Sequence, residues 1–131
     1  MNRGMKMKKK NISITESEWH IMMVVWNDSP QTLQEILDKL SYSGWSKTTI
    51  QTYIARLVKK GMLLTERKGK GYLYYPAVSK KDFQYQESKS FLKRVYNGSL
   101  YQMVLGFTKS GTLSYDELEE LKKLIIEQEE K

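Results

Sequence analysis

The 131-residue chain contains no cysteine and only one histidine, His20. The absence of cysteine excludes disulfide bonds, cysteine-based zinc sites and a cysteine nucleophile, and it fits a reducing cytosol. His20 has no metal-ligating partners at a suitable spacing, so we expect neither a metal nor a cofactor. Phosphate-binding, serine-hydrolase and metalloprotease motifs are also missing, and we therefore expect no enzymatic activity.

Long hydrophobic runs are missing as well. No stretch approaches the roughly 18 apolar residues that a membrane span needs, and the basic start, Met1–Lys10, is not followed by the apolar segment of a signal peptide. We expect a cytoplasmic protein without membrane contact. Apolar residues still make up 40% of the chain, which is enough for a folded core.

Positive charge is concentrated in the first part of the chain. Residues 1–81 contain 15 Lys or Arg and 6 Asp or Glu, whereas residues 82–131 contain 7 and 9. A polyanion would therefore dock on the N-terminal part, although a basic surface that only confers solubility is the alternative. We expect residues 1–11 to form a flexible basic arm.

Apolar spacing and capping residues predict three short helices, followed by a change to strand-like alternation. The helices are expected at Glu16–Trp26, after Thr32, and at Ser46–Lys60. Two strands, Met62–Arg67 and Tyr72–Tyr75, then form a hairpin. This is the order of a winged helix-turn-helix domain, which we assign to residues 12–78 of a mainly α protein with a small β-hairpin.

The third predicted helix carries the candidate DNA-binding face. Its core side contains Ile50, Ile54 and Leu57, and its opposite side carries hydroxyls, an amide and cations but no acid. Such side chains match the hydrogen-bonding groups of the major groove, whereas an ordinary solvated face usually mixes acids and bases. We expect base contacts from Lys47, Thr48, Gln51 and Thr52, base or phosphate contacts from Arg56, and capping or phosphate contacts from Ser46 and Thr49.

The tip of the predicted hairpin is basic. Arg67, Lys68 and Lys70 lie among glycines, so this wing can follow the DNA backbone or enter the minor groove. A basic tip that only protects a strand edge from aggregation is the alternative. The tyrosines at 72, 74 and 75 can stack on single-stranded bases, but we favour packing of the hairpin against the third helix.

Residues 79–131 are predicted to form three further helices with apolar stripes. About 50 residues of short helices make a poor core alone, so we expect pairing with a second copy rather than folding back onto the N-terminal domain. A dimer would also place two recognition helices on a palindromic operator. The expected dimer residues are Phe91, Leu92, Val95, Leu100, Met103, Val104, Phe107, Leu118, Leu121 and Ile125.

Five segments together resemble the penicillinase-repressor family over residues 12–129. They are Ile14–Trp19, Ser46–Thr52, Arg56–Gly61, Tyr72–Pro76 and Ser88–Leu92. The resemblance implies a homodimeric transcriptional repressor whose N-terminal winged helix binds an inverted-repeat operator and whose C-terminal helices intertwine.

The resemblance also implies a release step. In the penicillinase branch a membrane sensor of β-lactams triggers cleavage at an Asn-Phe pair in the C-terminal helices. The matching pair is Gly106-Phe107, which keeps the phenylalanine and lacks the asparagine. Release by copper through a C-terminal cysteine cluster, as in another branch, is excluded because the chain has no cysteine.

Three functions therefore compete. The first is an operator-specific repressor that binds double-stranded DNA as a homodimer and is released by a sensor-linked protease. The others are a regulator switched by a small ligand in the dimer core, and a winged-helix protein-interaction module. An acidic third helix would have favoured the last, and the helix is basic.

Overall fold

The computed structural model describes residues 12–130, so the predicted basic arm at residues 1–11 lies outside the described part. The predicted order of three helices, a hairpin and three helices is confirmed, with one additional short strand. In order, the elements are α1 (Glu16–Asn27), β1 (Gln31–Thr32), α2 (Leu33–Lys39), a 3-10 turn (Ser41–Ser43), α3 (Lys47–Lys59), β2 (Leu63–Lys68), β3 (Gly71–Pro76), α4 (Lys80–Tyr96), α5 (Leu100–Lys109) and α6 (Tyr115–Glu129).

Side-chain caps fix the helix ends as the sequence predicts. In the box at the start of α1, Thr15 Oγ1 accepts from the backbone N–H of Glu18, and the Glu18 carboxylate accepts from that of Thr15. Ser46 Oγ accepts from the N–H of Thr49 at 3.1 Å and starts α3. The helix ends shortly before Gly61, whose φ of 81° is costly for residues with a Cβ. The limits of α3 are therefore set by local sequence.

The sheet has three antiparallel strands in the order β1-β3-β2. The sequence predicted the hairpin of β2 and β3 but not β1, which has only two residues and pairs with β3 at Gln31↔Tyr74 and Thr32↔Leu73. Gln31 is buried, and its amide donates to the carbonyls of Val24 and Asp28. A buried glutamine has no apolar signature, so neither its burial nor this strand is visible in the local pattern.

The hydrophobic core of the N-terminal unit lies under α3 and also includes a residue of α4. Phe83 is 5% exposed, and its ring packs against those of Trp19 and Trp26 at centroid distances of 6.1 and 5.9 Å. Because of these contacts the compact unit extends to Gln86, past residue 78, where the sequence placed the end of the winged helix. The buried apolar residues are Ile21, Met22, Val25, Ile36, Leu40, Ile50, Ile54, Leu57, Met62, Leu63 and Phe83.

The second compact unit begins at Glu87 and contains the end of α4 with α5 and α6. A capping box at Ser114 and Glu117 starts α6, as predicted. Within residues 87–130 no side chain is buried, although the helices carry regular apolar stripes. Along the described part of the chain, no helix combines the length and apolarity needed to cross a membrane.

Candidate nucleic-acid interface

The two sides of α3 differ as the helical wheel predicted. Ile50, Ile54 and Leu57 are 0 to 3% exposed and anchor the helix on the core. The outward side is exposed and carries no acid. It therefore offers only hydrogen-bonding, small apolar and cationic groups. Its members are Lys47, Thr48, Gln51, Thr52, Ala55, Arg56 and Lys59.

Aromatic packing holds the start of α3. Trp45 directly precedes the cap residue, and its ring meets that of Tyr53 edge to face at 5.2 Å. The ring of His20 from α1 packs on Trp45 at 5.9 Å, and His20 Nδ1 lies 3.5 Å from Tyr42 Oη. These contacts fix the direction from which the chain enters the helix. The sequence reasoning missed this role of Trp45, for which a tryptophan beside a predicted N-cap was the available signal.

Polar groups on the outward side of α3 differ in their availability. Thr52 Oγ1 donates to the carbonyl of Thr48 at 3.0 Å, so its proton is used within the helix and its methyl group remains for apolar contact. Ser46 Oγ donates to Thr49 Oγ1 at 3.0 Å, and Thr49 is half-buried. Among the residues that the structure describes, none hydrogen-bonds with the Gln51 amide. The Gln51 amide therefore has both its donor and its acceptor available for a ligand.

A buried ion pair supports the C-terminal end of α3. Glu18 is 1% exposed, and its Oε1 accepts from Lys60 Nζ at 2.6 Å. Lys60 Nζ also donates to the carbonyl of Ser13 at 2.8 Å. Burial raises the pKa of Glu18, but the bonds from Lys60 and Thr15 and the charges of Lys60 and Arg56 outweigh it, so the pKa lies below its usual value. The carboxylate is therefore charged and ties α1 to α3.

The wing places its three predicted cations at an exposed tip. Arg67 and Lys68 end β2, and Lys70 follows Gly69 in the two-residue loop. At the base of the wing, Leu63 is buried and β2 lies against α3. The structure thus connects the wing directly to α3.

The tyrosines of the wing differ in their surroundings. Tyr74 is half-buried against the core, but its strand, β3, lies against α1 and α2, while β2 contacts α3. Tyr72 is 42% exposed and packs on Arg67. Leu63 of β2 and Tyr74 of β3 therefore both belong to the packing between the hairpin and the core, which includes the buried side of α3.

Acidic side chains do not neutralise the cations of this surface. Within residues 12–130 the ion pairs are Lys39–Asp28, Lys60–Glu18 and Lys122–Glu119. None of them involves the cations of the outward side of α3 or of the wing tip. These cations are therefore available to an external anion.

Sequence comparison identifies the family of this chain. The sequence profile described as "Penicillinase repressor" matches residues 14–127. The chain belongs to the penicillinase repressor family. The penicillinase repressor of Bacillus licheniformis is 39% identical over 120 residues, which cover 91% of this chain and 94% of that protein. The methicillin resistance regulatory protein MecI of Mammaliicoccus sciuri is 34% identical, with 91% and 98% covered.

A solved structure is similar to the N-terminal part. It is the DNA-binding domain of the repressor BlaI, with a TM-score of 0.51 and 35% identity over 56% of this chain and 90% of that domain. This similarity supports the winged-helix assignment.

The residues predicted for dimerisation all lie in the second unit, and none of them is buried there. Leu100, Val95 and Ile125 are 57%, 51% and 51% exposed, and Phe107 is 42% exposed. Gly106 and Phe107, the candidate cleavage pair, lie in the second half of α5. The remaining predicted residues are Phe91, which is also exposed, and the half-buried Leu92, Met103, Val104, Leu118 and Leu121.

His20 has no metal-binding environment in the described part of the chain. No group of three His, Cys, Asp or Glu residues within residues 12–130 is arranged to hold a metal ion. Its aromatic contacts with Trp45 give it a packing role instead.

Proposed function

We propose that this protein is a transcriptional repressor that binds operator DNA through α3 and the wing. The observation that carries the proposal is the outward side of α3, which is exposed, free of acids and backed by a rigid core. A helix of this kind fits the major groove, which is about 12 Å wide. Membership of the penicillinase repressor family, whose relatives are named as repressors, supports the same function.

The side chains divide into two proposed roles. Lys47, Thr48, Gln51 and Thr52 lie in the first half of α3, the part of a recognition helix that normally reaches base edges. Ser46 and Thr49 are engaged in the cap, which suits them to orient the helix and contact phosphate. Arg56 on α3 and Arg67, Lys68 and Lys70 on the wing supply charge for the DNA backbone or a base edge.

Homodimerisation through the second unit is part of the proposal. Within residues 87–130 no side chain is buried, yet large apolar groups such as Leu100 and Ile125 are about half exposed. Large apolar side chains left exposed throughout one unit are typical of a protein interface. A second copy is the favoured occupant because a two-fold dimer presents two α3 helices to an inverted-repeat operator.

Release of the DNA by proteolysis in α5 is the final part. Gly106 and Phe107 are exposed, and cleavage between them would separate α6 from the rest of the chain. Loss of α6 would weaken the dimer and with it the coupling between two half-sites. A sensor-linked protease is the proposed partner for this step.

Selection of bound duplexes from a random pool by the full-length protein tests the proposal. Recovery of an inverted repeat is the expected result, and recovery of no DNA would exclude the function. On the selected duplex, Thr48→Ala and Gln51→Ala should each cost about 1–3 kcal/mol, with little change on random DNA.

Lys68→Ala is the matched comparison for a phosphate contact. It should weaken binding to selected and random duplexes alike, and reduce the slope of log affinity against log salt by about one. Fluorescence anisotropy over a salt series measures both quantities. Equal effects of all three variants on both duplexes would contradict the proposed base contacts.

A further inference from the structure

The two faces of the wing are different. Arg67 and Tyr72 are direct cross-strand partners, and Leu63 pairs with Pro76 at the base. Residues two apart in a strand project from the same face, so Arg67, Tyr72 and the half-buried Tyr74 share the face that carries the buried Leu63. At the base of the wing this face packs on the core of the N-terminal unit, which includes the buried side of α3.

Tyr72 holds the Arg67 side chain in place. The guanidinium carbon lies 5.2 Å from the centroid of the Tyr72 ring, and Arg67 Nη1 donates to Tyr72 Oη at 3.4 Å. The Tyr72 ring in turn packs on Tyr74 at 6.5 Å, which connects the arrangement to the core. A guanidinium stacked in advance loses less conformational entropy when it binds. In the described chain, Lys68 and Lys70 have no comparable support.

The tip next to Arg67 is narrow. Gly69 has a φ of 61°, and Gly71 follows it by two residues, with open space around the Cβ position of each. Lys70 is therefore the one side chain between β2 and β3. A tip of this size suits the minor groove, which is about 6 Å wide, and narrow A·T tracts attract arginine through their enhanced negative potential.

We propose that Tyr72 is a positioning residue that holds Arg67 for insertion into the minor groove beside the segment contacted by α3. Operator recognition would then extend into flanking DNA and favour A·T-rich flanks. This inference rests on the proposed DNA-binding function and adds a second site of sequence preference to it.

The test uses the full-length protein and two duplexes with the same selected inverted repeat. One duplex has A·T flanks and the other has G·C flanks. The wild-type protein should bind the A·T-flanked duplex about tenfold more tightly, a value within the range for one good contact. Tyr72→Leu should remove this preference, whereas Tyr72→Phe should keep most of it because the ring remains. Arg67→Lys should also remove it while leaving the salt dependence near that of the wild type.

Glu66→Gln is the matched control, since Glu66 is exposed and lies on the opposite face of β2. It should leave the flank preference unchanged. A wild-type preference that persists in Tyr72→Leu and Arg67→Lys would overturn the inference, as would equal losses on both flanks. Thermal unfolding checks that Tyr72→Leu is folded, and Arg67→Lys decides the question if it is not. Failure of the wild type to select DNA would refute the proposed function, whereas binding without flank preference would refute only this role of the wing.

Discussion

The two compact units differ in how much apolar surface they bury by themselves. In the N-terminal unit the core side chains are at most 5% exposed, and they support α3 directly. Within residues 87–130 no side chain is buried, and Leu100, Ile125 and Phe107 are 42 to 57% exposed. Burial of apolar area is the main favourable term in folding. The first unit therefore has a core of its own, and we expect the second unit to gain its stability from the proposed dimer.

Ending the chain at Phe107 should give the largest effect. This truncation removes Leu118, Leu121 and Ile125, which are part of the proposed dimer interface. We expect the dimer dissociation constant to rise about a thousandfold or more, equivalent to about 4 kcal/mol. Sedimentation over a range of concentrations measures it. If the truncated chain were dimeric at the same concentrations as the full-length chain, α6 would not be part of the dimer interface.

Leu57→Ala should give the next largest effect, confined to the first unit. Leu57 is 0% exposed under α3, and a substitution of this kind typically costs about 2–5 kcal/mol. Urea unfolding should show the same loss at every protein concentration. The matched variant Leu121→Ala lies in the second unit, so its loss should depend on concentration. If the loss of stability depended on protein concentration in the same way for both variants, the two units would not differ in their need for a partner.

Lys60→Met should destabilise the first unit by removing the partner of Glu18. Breaking a fully buried pair costs about 3–5 kcal/mol, and we expect about 2 kcal/mol because Lys60 is 31% exposed. Denaturant unfolding at neutral pH measures the loss. In Glu18→Gln/Lys60→Met no charge is buried and the cap of Thr15 is kept, so part of the stability should return.

The effect of Lys60→Met should also depend on pH. Because the pKa of Glu18 is lowered in the folded protein, its stabilising contribution is present above the unfolded value, about 4.3, and is lost as the pH falls through the lower folded value. Without Lys60, burial dominates and raises the pKa of Glu18. The difference between the variant and the wild type should therefore shrink as the pH falls through the raised pKa of the variant, and it should vanish once the pH is below the lowered pKa of the wild type. A constant difference across this range would show that Lys60 acts by packing alone.

Gly106→Ala should give the smallest effect, and it tests whether this position of α5 lies in the contact between copies. A Cβ at this position would have open space, and glycine inside a helix costs about 0.5–1 kcal/mol relative to alanine. We expect a gain of that size in the stability of the second unit, measured by thermal unfolding at fixed concentration. A loss, together with a weaker dimer, would place Gly106 inside the contact between copies.

Local sequence predicts the elements whose determinants lie within a few residues. The caps of α1, α3 and α6 each join residues three apart, so a capping residue and an apolar stripe were enough to place them. Two of the missed features join distant residues. Strand β1 exists because Gln31 pairs with Tyr74, and the Glu18–Lys60 pair spans 42 positions.

In the candidate site, too, only the features with local determinants could be predicted from the sequence. The exposed side of α3 could be read from helical periodicity, because Ile50, Ile54 and Leu57 mark the buried side. The support that Tyr72 gives to Arg67 could not, because it depends on the cross-strand register of the wing. Sequence therefore identifies the groups proposed to face the DNA, while the structure adds how they are held.

The positions of the three tryptophans give the protein an optical label on one unit only. Trp19, Trp26 and Trp45 all belong to the N-terminal unit, and Trp26 Nε1 donates to the carbonyl of Val78 at 2.9 Å. The second unit has tyrosines but no tryptophan. Intrinsic tryptophan emission therefore reports the melting of the winged helix, while far-ultraviolet circular dichroism reports the helices of both units. One unlabelled sample can follow the two units separately.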